Sequence, residues 1–276
     1  METKKFSVKR SINIKSIIQK LFSVRNELNY KIISILGLKI KIHDSRLDSR
    51  VLSLNEIISH SISVSSLHRE VFSKYKNINY GKDVVLIATG PSLDNFEPLQ
   101  DAVYVGVNRA FTYKKVKFDY LFVQDYSDAT RKYFGDFMAY EGAKKFCGIM
   151  SEEIWPKSVI PESKCINAER YYVDAPFYRK HFTRDIANEP LGDSYSIVFP
   201  AMQFILWTNP KRIYIVGCDC NTSGHFNLQK NNLNTEKVID GWIKMKEFAR
   251  IHYPDTEIIS VNPKGLKGLF KDITTV

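Results

Sequence analysis

Apolar positions along the chain fall into two regimes that meet near residue 80. In the first, Ile12, Ile14, Ile17, Ile18, Leu21 and Phe22 gather largely on one helical face, with Lys15 and Lys20 elsewhere, so INIKSIIQKLF reads as a basic amphipathic helix. Tyr30–Ile42 (YKIISILGLKIKI) reads as a short β-hairpin or strand pair with Gly37 near its turn. Residues 52–75 have a helical pattern and lead into the second regime.

From Asp83 onward, short apolar runs alternate with helical or loop stretches. The runs are Val84–Ala88, Val103–Val107, Tyr120–Val123, Phe146–Ile149, Ile213–Val216 and Ile258–Val261, each of strand length and rich in β-branched or aromatic residues. Runs that are apolar throughout suit parallel strands buried on both faces. Helical patterns at Tyr195–Trp207 and Glu236–Ile251 complete the alternation. Pro200 predicts a kink or a late start for the first of them. The expected fold is α/β: a Rossmann-like, mostly parallel, doubly wound sheet of GT-A-like type at residues 81–276. A basic helix/hairpin appendage at residues 1–80 precedes it.

Charge sharpens that division. Residues 1–80 carry 15 Lys and Arg against 6 Asp and Glu, and the remainder carries 25 against 24. A basic arm before a nearly neutral domain suits a polyanionic surface, either an anionic membrane face or nucleic acid, or is a solvated lysine-rich face. No apolar run reaches the ~18–20 residues that span a bilayer, and the charged opening METKKFSVKR has no cleavage pattern behind it. A cytoplasmic protein is expected, at most peripheral on the inner face of the cytoplasmic membrane. Cys147, Cys165, Cys218 and Cys220 form no C-x-x-C pair, so they read as reduced thiols rather than zinc ligands.

In open α/β sheets ligands bind beyond the carboxyl ends of the strands, and five such ends here carry polar residues. The first is Thr89-Gly90-Pro91-Ser92. Gly90 permits close backbone approach, Pro91 stiffens the turn, and Ser92 offers a hydroxyl near a helix start where N–H groups attract phosphate. Asn108 follows the second run; its amide can both donate and accept. Arg109 beside it is a phosphate contact or a surface residue. Gln124 and Asp125 close the third run as sugar or acceptor contacts, or as a helix cap. Gly217 and Asp219 close the fourth, and His225 follows in a polar loop where an imidazole can take a proton from an attacking hydroxyl. The other histidines lack that context and read as structural or exposed. Asn262-Pro263 closes the fifth as a base-binding turn or a chain reversal. Asp193 or Ser194 is expected to cap the helix that follows, where N–H groups could also hold a carboxylate or phosphate. The chain has no D-x-D pair, G-x-x-x-x-G-K-[ST] loop or G-x-G-x-x-G turn. A metal-bridged diphosphate, a P-loop nucleotidase and a dinucleotide site are therefore disfavoured, and no metal or cofactor is expected.

The order TGPSLD, VNRAF, QD, GDS–apolar helix–KRIYIVGCD, GHFN and VNPKGL resembles the bacterial lipooligosaccharide sialyltransferases, glycosyltransferase family 42. It is also similar to the related motility-accessory and hydroxymethylpterin-pyrophosphokinase-like proteins. The resemblance covers roughly residues 82–270. It implies that Thr89, Gly90, Pro91, Ser92 and Asn108, with Asn262 and Pro263, hold the nucleotide of a CMP-linked sugar. It further implies that Asp193 and Ser194 contact its phosphate or carboxylate, that His225 is the general base, and that transfer inverts the sugar without metal. Ala88-Thr89 stand where the family usually has Gly-Asn. Only five residues separate Asp219 from His225, where the family carries a much longer lid with tyrosines. Tyr171, Tyr172, Tyr178 or Tyr195 would then steady the leaving phosphate, and Asp219 and Tyr178 join Gln124 and Asp125 as sugar or acceptor contacts.

The expected activity is a metal-independent inverting glycosyltransferase. It would move the sugar of a CMP-sialic or related CMP-ulosonic acid onto a lipid-linked or surface oligosaccharide of a bacterium, releasing CMP. The appendage would touch the membrane, and a homo-oligomer is compatible with the sequence. A pyrophosphokinase on a pterin-like alcohol and a non-catalytic accessory protein are the alternatives. Nucleic acid is not an expected partner, since no recognition motif accompanies the basic charge.

Overall fold

The computed structural model describes residues 22–27, 30–36, 38–43, 45–150, 157–174, 182–221 and 235–274. By its internal contacts the chain divides into Met1–His60 and Ser61–Val276.

The amino-terminal unit holds a three-stranded antiparallel meander: β1 (Phe22–Glu27), β2 (Tyr30–Ile35) and β3 (Leu38–His43), in that spatial order. The hairpin expected at Tyr30–Ile42 is β2–β3, with Ile35 paired to Leu38. Phe22, expected to end an amphipathic helix, instead begins β1, because its alternation with Val24 pairs against β2. Residues 12–21 of that expected helix lie outside the described residues. Helix α1 (Ser45–Phe72) starts well before residue 52 and runs into the second unit, where a 3-10 turn at Ser73–Tyr75 ends it.

The second unit is built on a nine-stranded sheet, parallel throughout. Its strands are β4 (Asp83–Ile87), β5 (Val103–Val107), β6 (Tyr120–Val123), β7 (Lys144–Ile149), β8 (Glu169–Asp174), β9 (Leu191–Gly192), β10 (Arg212–Val216), β11 (Glu257–Val261) and β12 (Lys271–Ile273). The spatial order is β12-β11-β10-β4-β5-β6-β7-β8-β9. The helices are α2 (Asp128–Ala139), α3 (Val198–Trp207) and α4 (Thr235–His252). All six apolar runs are strands. β8, β9, β12 and α2 were not among the elements read from the sequence.

Alternation along each strand feeds two cores. Val84, Leu86, Val105, Phe122, Ile213 and Ile215 pack with α3, α4 and the end of α1 on one face. Val85, Ile87, Leu121, Val123, Tyr214 and Val216 pack with α2 and short 3-10 turns on the other. Covering both faces is what makes the runs apolar at every position. Residues 61–80, grouped with the appendage in the sequence reading, contribute Val71, Phe72 and Tyr75 to the first core.

All ten residues of α3 are buried. Pro200 sits in its first turn, where an amide N–H would lack an intrahelical partner, so the late start resolves the proline. No helix among the described residues is long and apolar enough to cross a membrane.

Candidate functional site

Strand order decides where a ligand could sit. From β4 the chain builds outward through β5 to β9, then returns through α3 to place β10 on the other side of β4. The β4/β10 boundary is therefore the topological switch point, and a crevice opens at its carboxyl edge. The five polar strand ends read from the sequence belong to β11, β10, β4, β5 and β6, which are consecutive neighbours in the sheet. A cleft of about 110 Å³ opens there. Thr89, Gly90, Asn108 and Asp219 line it, as do Ser196, Asn221, Val238 and Trp242.

The glycine loop is clamped rather than open. Gly90 N–H donates to the Gly217 carbonyl at 2.6 Å, and Ser92 N–H donates to Asp219 Oδ2 at 2.9 Å. A Cβ on Gly90 would lie 2.5 Å from the Gly217 oxygen and 2.7 Å from the Asp219 carboxylate, so only glycine lets the two strand ends meet. Gly217 itself has φ +67°, and a Cβ there would press on the Ala88 carbonyl at 2.8 Å. Pro91 opens a 3-10 helix of five residues, Pro91–Asn95. The expectation that Ser92 sits at a helix start with N–H groups free for phosphate is corrected here: its amide serves the Asp219 carboxylate.

Asp219 ties three strand ends together, because its backbone oxygen also accepts Gly265 N–H at 2.8 Å, in the turn after β11. Asn262 adds a fourth tie: its Nδ2 donates to the Asn95 carbonyl at 3.3 Å, and its φ of +49° reverses the chain before Pro263.

Four side chains at these ends hold buried oxygens with no hydrogen-bond partner: Ser92 Oγ, Asn108 Oδ1, Gln124 Oε1 and Asp219 Oδ1. They stand on the ends of β4, β5, β6 and β10, again consecutive in the sheet. Buried polar atoms are mostly paired in folded proteins. Arg170 Nε, Tyr171 Oη, Trp242 Nε1 and Ser260 Oγ also lack a partner, and what sets the Ser92, Asn108, Gln124 and Asp219 oxygens apart is that they gather on one edge, where a ligand could meet them. Of those four residues, Asn108 and Asp219 line the cleft and Ser92 and Gln124 do not. The larger hollows elsewhere, for instance around Lys76, Trp207 and Thr256, include none of them.

Asp193 and Gln124 form a second polar centre. Both are buried, and Gln124 Nε2 donates to Asp193 Oδ2 at 3.3 Å. Burial pushes the Asp193 carboxyl up to about 6, against the pull of the Tyr195 N–H and the Gln124 amide. Asp193 and Ser194 do not cap α3. The residue before that helix is Ile197, without a side-chain cap, and Asp193 instead accepts from Tyr195 N–H at 3.1 Å and, through its carbonyl, from Ser196 N–H at 2.7 Å. The physical reason is the left-handed backbone at Ser194 and Tyr195, φ +37° and +69°, which curls the chain into a turn before the helix begins.

Asp125 is engaged at the start of α2, where its Oδ1 accepts from Ser127 N–H at 3.1 Å and Thr130 Oγ1–H at 2.7 Å. Arg109 lies over the Tyr133 ring, 5.6 Å from its centroid. Cys218 and Cys220 flank Asp219, and burial raises both thiols, Cys220 up to about 12, so neither is a nucleophile at neutral pH. Of the described residues lining the cleft, none is Lys or Arg. Among the described residues no group of three or more His, Cys, Asp or Glu is placed to hold a metal ion. His225 and Tyr178 lie outside the described residues. The stretch containing His225 begins after Asn221, a cleft residue, and ends before Thr235, one turn ahead of Val238, which also lines the cleft.

Sequence reasoning missed Gln203. This fully buried α3 side chain accepts from Thr183 N–H and Gly192 N–H and donates to the Gly192 and Phe199 carbonyls, at 2.7 to 3.3 Å. It holds the strand end that carries Asp193. A lone polar residue in an otherwise apolar helix was the available signal. Trp242 was missed too, because one aromatic on α4 looks like any core residue.

No model of a known protein family matches the chain, and no curated protein matches it in sequence.

Proposed function

We propose that this protein is a glycosyltransferase that takes a sugar from a nucleotide-activated donor, a CMP-linked sialic or related ulosonic acid, and places it on a lipid-linked or surface oligosaccharide. The observation that carries the reading is the row of four unpartnered buried oxygens at the switch point of a parallel sheet. Asn108 Oδ1, Gln124 Oε1 and Asp219 Oδ1 can only accept, and Ser92 Oγ can do either, so the complementary ligand is rich in O–H and N–H donors. Sugar and ribose hydroxyls and an exocyclic base amine meet that demand. A bare phosphate, with at most one or two O–H donors and no lysine or arginine among the described residues lining the cleft, meets it less well.

In this reading the Thr89–Ser92 loop and Asn108 hold the nucleotide, and Asp193 with Gln124 orients the sugar. His225 takes the proton of the acceptor hydroxyl as its oxygen bonds to the anomeric carbon. The bond from that carbon to the nucleotide phosphate breaks, the nucleotide leaves with the electron pair, and one displacement inverts the centre. Metal independence rests on the lack of a D-x-D pair in the sequence.

The test is a thermal-shift panel of CMP, UDP, GDP and ATP with and without Mg²⁺, followed by donor hydrolysis in EDTA by wild type and His225→Ala. A midpoint rise selective for CMP, and a fall of about 10²-fold or more in the variant, is the expected result. Full activity in His225→Ala removes it as base. Strict metal dependence removes the mechanism, and selective stabilisation by ATP with Mg²⁺ moves the assignment to a pyrophosphokinase.

A further inference from the structure

The amino-terminal sheet carries a feature that the transfer reaction does not use. Strand register places Phe22, Ile35 and Leu38 in one cross-strand row and Val24, Ile33 and Ile40 in the next, all on the same face, and the third row of that face holds Ile42 with Lys31 and Asn26 at its register positions. Except for half-buried Ile33, the apolar side chains of this face are 41% to 75% exposed. The opposite face differs in kind: Lys39 and Lys41 project from it beside the buried Ile32. A face of large aliphatic side chains left open to solvent is the signature of an interaction surface rather than of a scattered apolar residue.

The charge of the unit selects the occupant. Residues 1–60 carry 12 Lys and Arg against 5 Asp and Glu. A second copy would bring the same excess positive charge against itself, whereas an anionic bilayer is attracted by it. The sheet's two outer strands leave backbone groups that hydrocarbon cannot satisfy, so it cannot sink into the bilayer core. It can lie flat, with its aliphatic face ~5–10 Å deep at the headgroup boundary.

We propose that the β1–β3 sheet is an interfacial docking platform for an anionic phospholipid surface, with the apolar face of Phe22 to Ile42 inserted and the excess positive charge of the unit supplying the attraction. The inference does not depend on the glycosyltransferase reading, and its test measures no activity.

The full-length chain is sedimented with vesicles of phosphatidylcholine alone and of phosphatidylcholine with phosphatidylglycerol, at low and physiological salt. Binding to the anionic vesicles only is expected. It should weaken at least about tenfold in Leu38→Ser/Ile40→Ser, which removes buried aliphatic area. In Lys39→Gln/Lys41→Gln it should weaken severalfold, with a shallower salt dependence. Should the serine variant fail to fold, Leu38→Trp provides a direct reading: added fluorescence that shifts to the blue and is quenched by brominated lipid marks insertion. No binding above that to neutral vesicles overturns the proposal. So does binding that neither the serine variant nor the Leu38→Trp reporter registers. A dimer in sedimentation velocity that Leu38→Ser/Ile40→Ser dissociates also overturns it, and assigns the face to a second copy.

Discussion

Gly90, Asp219 and Asp193 show how single residues set the site. Gly90 stood out in the sequence because a glycine ended an apolar run, but the reason it must be glycine lies on another strand. A Cβ there meets the Gly217 oxygen and the Asp219 carboxylate. Gly90→Ala is therefore expected to cost about 1–3 kcal/mol of stability and to abolish ligand-induced shifts, both read by thermal denaturation. Asp219→Asn keeps an oxygen for Ser92 N–H, whereas Asp219→Ala orphans that buried amide. The alanine variant should lose about 1–3 kcal/mol more than the asparagine variant in urea unfolding. The protonation of Asp193 was not legible in its sequence neighbours, because burial sets it. Its carboxyl is raised from 3.8 to about 6, so the native state binds the proton more tightly than the unfolded chain does. The stability this contributes is full below about pH 4 and is lost as pH rises through 6, on the order of 3 kcal/mol. The difference in urea midpoint between wild type and Asp193→Asn should trace that window and be flat above pH 7.

At the scale of elements, His68 opposes Asp193. From α1 it donates Nδ1–H to the Ile186 carbonyl and accepts Tyr172 N–H at Nε2, each at 2.8 Å, joining the helix to β8 and to the segment before β9. Burial lowers it to about 4, so it is neutral with its tautomer set by those two partners. A depressed histidine contributes stability above pH 6.5 that is lost as pH falls toward 4, also on the order of 3 kcal/mol. The two groups thus slope in opposite directions between pH 4 and 6. Asp193→Asn should make acid unfolding steeper than in wild type, and His68→Gln should make it shallower while costing about 1–3 kcal/mol at pH 7. Central elements were legible because double burial leaves β5 and β6 without a charged side chain and makes β4 and β10 apolar at every position after their charged first residues. β9 has two residues and β12 is a charged edge, so neither leaves a periodic trace. Phe22 was read as the end of a helix, and Ser23–Glu27 as no element, because a short alternating stretch beside a helical pattern satisfies both periods until its pairing partner is known.

Across the whole molecule, the chain divides into two units, with a cleft at the strand ends of one and an exposed apolar face on the sheet of the other. A chain beginning at Ser61 is expected to unfold cooperatively and to keep the nucleotide response of the full protein while losing vesicle binding. Calorimetry and the two binding assays check this, and loss of the nucleotide response in a folded truncation would couple the two units. The apolar runs by themselves determined an α/β sheet of buried parallel strands, a basic arm ahead of it, and polar residues gathered at strand ends, because burial and backbone geometry act within a few residues. Only the tertiary structure decided that β10 lies beside β4, since nothing local records which strand a returning crossover will join. That one adjacency turns five separate strand ends into a single edge, directs the Ser92 amide to Asp219 instead of a ligand, and leaves four neighbouring oxygens without partners.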